Sequence, residues 1–330
     1  MPRTILMGDP THFSVRGGAN PHTRNLLGIR KRVNADRARA QWHALARELT
    51  ARGVEVCVIP PDPKRTGLVF PANAGFLFPL EAGGPKIFHL SHLLPTRAPE
   101  IDIYRPFIRA MGYETREVAA PFEGEADFFP AGRFMIFTHG RIERQRFVAR
   151  IGIPPWKRIY GFRSDIAALA ELERAASGRP ILPLELTLEA HYHGDTVLCS
   201  FGPAREYLLA YLDGLAADSR ARLKDEFGAN LIELGPGDAA LYAANSFQSE
   251  LDGILYLFMP RGVGKELLDA VRARGVEPVL CDATEFLIKG GGSIKCMILD
   301  LGPRGEQPSA GAEFRAERSY QRVFGARSSA

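Results

Sequence analysis

A cysteine preceded by three glycines lies near the C-terminal end of the sequence. The segment Gly290-Gly-Gly-Ser-Ile-Lys-Cys296 follows one apolar run and leads into another at 297–301. Because glycine lacks a Cβ, the glycines allow backbone or a ligand to approach the Cys296 sulfur closely. Such a thiol can act as a nucleophile when the rest of the chain supplies a base, a charge and a pocket.

The remaining cysteines do not suggest a metal centre or a disulfide framework. Cys57, Cys199 and Cys281 lie far apart and form no C-x-x-C pair, which is the spacing that zinc ribbons use. Cys57 and Cys281 stand in apparent strands, where a buried and unreactive thiol is expected. Only Cys296 follows a glycine run.

A second set of chemically capable residues occupies the middle of the chain, between Leu184 and Ser200. Alternation before this set and β-branched residues after it predict a strand. Residues two apart on a strand face the same side, so His193 and Asp195 are expected to point into one space. His191 shares that face, and the alternation alone does not choose between the two histidines. An acid parallel to the imidazole is placed to bind another part of the same ligand rather than to orient the ring from behind.

A repeated unit of helix, glycine, strand, polar loop and strand positions these residues. Helices that end near Gly53, Gly112, Gly228 and Gly275 are each followed by a predicted strand. The first helix carries apolar residues on one face, at Val33, Ala38, Trp42, Leu45 and Leu49. Residues 68–70 are predicted to begin a strand, and 123–127 and 236–238 are predicted loops. Such units cannot bury their own faces, so we expect an α/β fold that arranges them around a common centre, with their loops converging at one end.

Composition excludes several classes of protein. The 330 residues are 45% hydrophobic and 24% charged, and the net charge is +4 with no long basic run, which does not indicate a nucleic-acid partner. No apolar segment reaches the ~18 residues of a membrane span, and the N-terminus lacks a signal-peptide pattern. We therefore expect a cytoplasmic protein with no membrane partner.

Taken together, four segments resemble the guanidine-modifying enzyme superfamily. They are Phe122-Glu-Gly-Glu-Ala-Asp127, Tyr160-Gly-Phe-Arg-Ser-Asp165, His193-Gly-Asp195 and the glycine–cysteine segment that ends at Cys296. Asn20-Pro21 and Phe70-Pro-Ala-Asn73 also resemble early motifs of its dihydrolase and amidinotransferase branches. The superfamily includes dimethylarginine dimethylaminohydrolases, arginine deiminases, arginine dihydrolases and arginine:glycine amidinotransferases, and the resemblance runs from about Met7 to Leu301.

The resemblance implies the pentein fold, a five-bladed α/β propeller of ββαβ units around a central active site. We expect a single catalytic domain over 1–302. The polar segment 303–330 is expected to be flexible or to pack on a neighbouring subunit of a homo-oligomer.

The resemblance also assigns roles to individual residues. Cys296 matches the nucleophile, and the H-x-D spacing selects His193 as the general acid and base. Asp127 and Asp195 match acids that bind the substrate guanidinium, and Asp165 matches another. Asn20 and Asn73 match polar ligand groups, although Asn73 also suits a turn. No metal and no cofactor are implied.

Three functions remain open on this basis. The leading hypothesis is hydrolysis of a C–N bond in arginine or a substituted arginine, because a planar, permanently charged guanidinium suits paired carboxylates. The same covalent amidino-cysteine could instead pass its amidino group to an amine acceptor, as in an amidinotransferase. The third hypothesis is an inactive protein that only binds guanidino compounds, although such a protein needs no nucleophile.

Several other residues have competing interpretations. Lys295 either lowers the pKa of the neighbouring thiol or lies on the surface, and we favour the surface. The basic residues Arg141, Arg144, Arg146 and Arg150 either bind an anionic substrate group or form a solvated helix face, which we favour. The segments 235–237 and 261–265 resemble phosphate-binding loops but lack required residues, so turns are expected there.

Overall fold

The computed structural model describes residues 2–15, 20–25, 28–81, 83–149 and 156–305, without the side chains of 147–149 and 156–157. Arg150 and the 306–330 part of the expected tail therefore lie outside the described residues. Within the described ranges, no helix is both long and apolar enough to span a lipid bilayer.

Helices and strands alternate along the described chain. The α-helices are α1 (Ala35–Ala51), α2 (Ile101–Ala110), α3 (Leu169–Ala175), α4 (Ala217–Phe227), α5 (Pro236–Ala240), α6 (Lys265–Arg272) and α7 (Thr284–Gly290). The strands are β1 (Arg3–Gly8), β2 (Glu55–Ile59), β3 (Gly75–Phe78), β4 (Ile87–Leu90), β5 (Glu114–Glu117), β6 (Phe128–Ala131), β7 (Phe134–His139), β8 (Arg146–Ala149), β9 (Trp156–Ile159), β10 (Ile181–Glu185), β11 (Leu198–Phe201), β12 (Tyr207–Ala210), β13 (Leu231–Glu233), β14 (Phe247–Leu251), β15 (Ile254–Pro260), β16 (Val276–Cys281) and β17 (Leu299–Pro303).

Five three-stranded sheets among the described residues share one topology. They are β3-β4-β5, β6-β7-β10, β11-β12-β13, β14-β15-β16 and β17-β1-β2. In each sheet the central strand pairs antiparallel with the first strand and parallel with the third. A helix lies between the central and third strands in sequence, as a parallel pair requires. Strands β8 and β9 form a further two-stranded sheet.

The sheet β17-β1-β2 brings distant parts of the chain together. Leu6 lies opposite Leu299 in the antiparallel pair of β1 and β17. Beside them, the Arg3 guanidinium donates to both carboxylate oxygens of Asp300, at 3.0 and 2.8 Å. Burial opposes ionisation of Asp300, but the charges of Arg3 and Arg205 and the hydrogen bond from the Gly302 amide together lower the carboxyl pKa. This buried, bidentate ion pair fixes β17, the strand that follows Cys296.

Helix α1 has the buried face that its sequence predicts. Asn34 caps its first turn by accepting from the Arg37 amide, and Ala38, Trp42, Leu45 and Leu49 are almost wholly buried. These side chains pack against residues of β1, β15 and α7 in one apolar cluster. Burial of each large side chain contributes about 1.5–3 kcal/mol, so α1 joins two sheets and the helix that leads to Cys296.

Four local expectations are wrong. Residues 68–70 do not begin a strand, because 66–69 form a 3₁₀ turn, and 236–238 lie in helix α5 rather than a loop. The stretch around His193 is not a strand but two 3₁₀ turns, 189–191 and 194–196, between β10 and β11. The basic segment after β7 contains no helix in its described part; Arg141 and Arg146 are exposed residues of irregular chain and of β8.

Candidate active site

Polar side chains precede the first strand of every three-stranded sheet. They are Asn73 before β3, Asp127 before β6, Asp195 before β11, Asn245 before β14 and Cys296 before β17. Each of these residues lies in a short turn. The turn places the side chain at the end of the sheet, just before the chain enters the first strand. The equivalent position in each sheet thus supplies one candidate site residue.

Cys296 lies in a 3₁₀ turn between α7 and β17. Gly291 ends α7 in a left-handed conformation, with φ of +74°. A Cβ on Gly292 would lie 2.6 Å from the Phe70 ring and 3.1 Å from the Cys296 Cβ, so this position accepts only glycine. The predicted close approach at the glycine run is therefore real, although the elements around it are a helix and turns.

The Cys296 thiol is buried and held by two polar groups. Its Sγ donates to Asp195 Oδ2 at 3.3 Å and lies 3.1 Å from Asn245 Nδ2. Asn245 also accepts the backbone amides of Ser293 and Cys296 through its Oδ1, at 3.1 Å each. Burial and the charge of Asp195 raise the thiol pKa well above its ordinary value. Without a ligand, the sulfur is therefore a protonated thiol.

Asp195 is also perturbed by its surroundings. Burial raises its pKa to about 6, although His193 and Lys295 act in the opposite direction. Its side chain comes from a 3₁₀ turn, so Asp195 and His193 are not neighbours on one strand face as the sequence suggested. Asp195 lies directly beside the thiol instead.

His193 pairs with an acid that sequence reasoning did not select. Its Nε2 lies 2.8 Å from Glu123 Oε2, and both side chains are buried. Burial opposes ionisation of Glu123, but the hydrogen bond and charge of His193, with Arg97 and Arg163, lower its pKa to about 2. Burial likewise disfavours the imidazolium, yet the charges of Asp127 and Glu123 raise the His193 pKa. The pair therefore favours an imidazolium beside a carboxylate.

The alternative histidine has a different environment. His191 packs against the rings of Tyr211 and Tyr242, and its Nδ1 is buried without a hydrogen-bond partner. Burial lowers its pKa to about 4. The structure therefore brings His193, and not His191, to an acid.

Asp127 does not present a free carboxylate to a ligand. Its Oδ1 accepts from Thr138 Oγ1 at 2.6 Å and from the Gly194 amide at 2.9 Å, while Oδ2 accepts from Ser164 Oγ at 2.6 Å. Asp127 therefore makes supporting contacts in this structure, and its expected contact with a substrate guanidinium stays a prediction. Asp127 ties the turn that carries His193 to strand β7.

Asn73, which the dihydrolase-like motif singled out, lies against the His193–Glu123 pair. Its Nδ2 is 3.4 Å from both Glu123 Oε2 and His193 Nε2. Its Oδ1 accepts from Arg97 Nη1 at 2.6 Å. Arg97 in turn pairs with Glu100 through Nε and Nη2, so a network that the sequence did not reveal orients Asn73.

Asn20 and Asp165 differ in how near they come to this network. Asn20 lines the adjoining cavity, where its Nδ2 donates to Tyr192 Oη at 3.0 Å and to the Gly290 carbonyl at 2.8 Å. Asp165 instead caps a 3₁₀ turn by accepting from the Ala167 amide. Asp165 therefore acts as a cap in this structure, and its expected role as a substrate ligand stays a prediction.

Lys295 is neither exposed nor turned toward the thiol. Its ammonium donates to Glu125 Oε2 at 2.5 Å and to the Ile298 carbonyl at 2.9 Å. Its side chain is only 14% exposed, so the favoured surface interpretation is wrong. Glu125 also accepts the Asp300 amide, and this ion pair therefore joins the turn before β6 to β17.

A cavity of about 360 Å³ adjoins the His193–Glu123 pair. This volume lies within the range of about 300–1,000 Å³ that is typical of small-molecule sites. The cavity is lined by Phe13, Ser14, Val15, Asn20, Thr23, Lys64, Arg65, Thr66, Gly67, Phe70, Thr96, Arg97, Pro99, Glu100, Glu123, Arg163, Tyr192, His193 and Gly290. Phe70 and Gly290 connect this lining to the glycine run beside Cys296.

Glu123 and Asn245 were not selected from the sequence, although the sequence contains a signal for each of them. Glu123 belongs to the same short segment as Asp127, and only the fold decides which acid meets His193. Asn245 follows Ala244 two residues before a strand, as Asn73 follows Ala72 two residues before β3. Aligning the repeated units on their first strands would have identified Asn245.

No family model matches the chain, but individual proteins do. The N(G),N(G)-dimethylarginine dimethylaminohydrolase of Mycobacterium tuberculosis is 28% identical over 302 residues, which cover 91% of this chain and 86% of that protein. The N-terminal domain of ArgZ, a cyanobacterial arginine dihydrolase, has been solved with a covalently bound reaction intermediate. It matches with a TM-score of 0.75 at 23% identity, covering 91% of this chain and 97% of that one. AgrE bound to L-arginine matches with a TM-score of 0.75 at 25% identity, over 92% of this chain and 41% of AgrE.

Proposed function

We propose that this chain is a guanidine-modifying enzyme, like the proteins to which it is similar, and that it hydrolyses a C–N bond of a guanidino compound through a covalent intermediate on Cys296. The observation that carries the proposal is the buried His193–Glu123 pair, 2.8 Å apart, at the cavity beside the thiol turn. A histidine whose pKa is raised by two acids can protonate a departing amine.

The substrate itself supplies the positive charge that stabilises the Cys296 thiolate. An ordinary thiol with a pKa of ~8.5 is short of its thiolate at pH 7 by about 2 kcal/mol, and burial beside Asp195 increases that cost here. A guanidinium about 4 Å from the sulfur stabilises the thiolate by about 4 kcal/mol at an effective dielectric constant of 20. Nucleophile formation is therefore coupled to substrate binding.

The reaction follows in two steps. Substrate binding drives the Cys296 proton into solvent, and the resulting thiolate attacks the guanidino carbon. The C–N bond to the leaving amine then breaks as His193 gives that nitrogen a proton. The amidino group then remains on the sulfur. The neutral imidazole takes a proton from a water molecule that attacks the amidino carbon, and the C–S bond breaks to release a urea-type product and the thiol.

The other assigned residues hold the substrate and the catalytic pair. Glu123 and Asp195 are the carboxylates placed to face the guanidinium, and Asn73 and Asn20 are neutral hydrogen-bonding partners. Asp127 positions the His193 turn. Transfer to an amine acceptor and a homo-oligomeric state remain predictions from the sequence.

We also assign the five three-stranded sheets to the five blades of a pentein propeller. Their common topology supports this arrangement, as does a second cavity, of about 230 Å³, whose lining comes from several of them. Its residues include Arg3, Glu81, Arg179, Arg205 and Ser249.

The experiment that tests the function is a product analysis. The protein is incubated with arginine, methylated arginines and agmatine, with and without glycine or ornithine, and the products are identified by mass. Amine or ammonia release without an acceptor supports hydrolysis, whereas release only with an acceptor refutes it in favour of transfer. An acid-quenched reaction should contain protein carrying one amidino adduct. Cys296→Ser should abolish both signals, while Cys281→Ser, at a buried cysteine in β16, should retain them.

A further inference from the structure

The residues that line the cavity become more exposed to solvent from its inner end to its mouth. At the inner end, Glu123 and His193 are buried. At the mouth, Lys64 and Thr96 are exposed and Arg65 is half-buried. A substrate whose guanidinium meets Glu123 must therefore extend its other end toward Lys64 and Arg65.

Basic residues outnumber acids in the described lining of this cavity. Lys64, Arg65, Arg97 and Arg163 face two acids, Glu100 and Glu123. Neither acid is available at the mouth, because Glu100 is already paired and Glu123 lies at the inner end, where the guanidinium binds. Glu100 accepts from Arg97 Nε at 3.1 Å and Nη2 at 2.7 Å, and Glu123 pairs with His193. Among the described lining residues, no carboxylate is left to receive a ligand ammonium at the mouth.

Arg65 provides the second observation. Its Nε is buried and has no hydrogen-bond partner. Neither Arg65 nor Lys64 forms an ion pair with a carboxylate of the described residues. A buried N–H group without a partner is costly in a folded protein and is ordinarily satisfied by an acceptor. A ligand carboxylate at the mouth would satisfy it.

Building on the hydrolase function proposed above, we propose that the substrate is a guanidino acid without a free α-ammonium group. The class comprises ω-guanidino carboxylates and arginines whose α-amine is acylated. Their carboxylate meets Arg65 and Lys64, and their one positive group, the guanidinium, lies at the inner end of the cavity, away from these residues. Arginine brings an ammonium into the same positive region, and agmatine brings an ammonium with no carboxylate to offset it.

Binding to a Cys296→Ala variant tests the preference without turnover. Four ligands of matched chain length are titrated by calorimetry: 5-guanidinopentanoate, Nα-acetylarginine, arginine and agmatine. The first two should bind at least about tenfold more tightly than arginine, and agmatine should bind most weakly. Arginine or agmatine binding as tightly as 5-guanidinopentanoate overturns the inference, as does failure of all four to bind.

Turnover by the unmodified protein separates the two proposals. The same order should appear in kcat/KM. If the binding order holds but none of the four compounds is cleaved, the hydrolase function fails and the ligand preference stands. If arginine is cleaved with the highest kcat/KM, the hydrolase function stands and the preference fails.

Substitution at the mouth tests the residues themselves. Arg65→Gln should weaken 5-guanidinopentanoate binding at least about fivefold and leave agmatine binding equal or stronger. Arg116→Gln, at an exposed arginine of β5 outside the cavity lining, is the matched control. If thermal melting shows that Arg65→Gln is unfolded, Lys64→Gln replaces it in the test, because Lys64 is more exposed. Unchanged discrimination in both cavity variants refutes the assignment.

Discussion

Replacement of Glu123 by glutamine tests the electrostatic basis of the site. Glutamine keeps the size of the side chain but removes the charge that faces His193 Nε2 at 2.8 Å. The Glu123 pKa is lowered from 4.5 to about 2. At 1.36 kcal/mol per pKa unit, that difference corresponds to about 3 kcal/mol of folding free energy. Glu123→Gln should therefore lower the free energy of unfolding at pH 7 by about this amount.

The sign of the pH dependence follows from the direction of each pKa change. A lowered carboxyl pKa stabilises the fold above the unfolded value of 4.5, and this contribution is lost as pH falls toward 2. The raised pKa of His193 gives a contribution that is complete below its ordinary value of 6.5 and is lost as pH rises through the folded value. In Glu123→Gln both contributions shrink, so its stability should vary less with pH.

Catalysis should respond as well, because the variant lowers the pKa of the general acid. We expect kcat to fall by about 10²–10⁴-fold, the usual contribution of general acid–base catalysis. The assays are chemical denaturation from pH 3 to 9, the pH profile of kcat, and NMR titration of the histidine ring. Glu114→Gln, at an exposed acid of β5, is the control. An unchanged His193 pKa together with normal kcat in Glu123→Gln would refute the reasoning.

Three further substitutions, and Asp165→Asn as a control, test the other assigned roles. Asp127→Asn should reduce kcat more than it raises KM in a steady-state assay. It should also lower the free energy of unfolding by about 1–3 kcal/mol, because three donors lose a charged acceptor. Asp165→Asn should leave kcat and KM unchanged in the same assay. Lys295→Met should cost about 3–5 kcal/mol in denaturant unfolding at pH 7, because it leaves Glu125 buried and unpaired, and the cost should be smaller at pH 5. Asn245→Leu should slow adduct formation at least about tenfold in acid-quenched mass analysis, since two amides of the thiol turn lose their acceptor.

Much of the fold could be predicted because its signals are local. The apolar face of α1 and the strands that follow Gly53, Gly112, Gly228 and Gly275 agree with the sequence pattern. Periodicity and helix-ending glycines act within one or two turns of chain, so they can be read without knowing the tertiary contacts.

The turns that contain the site residues could not be predicted in the same way. Alternation around His193 predicted a strand, but the segment forms 3₁₀ turns, because the amides of Thr196 and Val197 donate to carbonyls three residues earlier rather than to a neighbouring strand. The partner of His193 lies 70 residues away. The choice between Glu123 and Asp127 depends on which acid Thr138 and Ser164 reach, and that choice is made only in the folded chain.

The pairing of β17 with β1 also determines when the site can form during folding. Arg3 and Asp300 are separated by 297 positions, so their contact closes nearly the whole described chain. Contacts of such long sequence separation form late and slowly, because the loop entropy must be lost before they stabilise anything. Cys296 immediately precedes β17, and its turn is therefore ordered among the last steps. Until β17 has been synthesised and paired with β1, the turn of Cys296 lacks the strand that holds it beside Asp195 and Asn245.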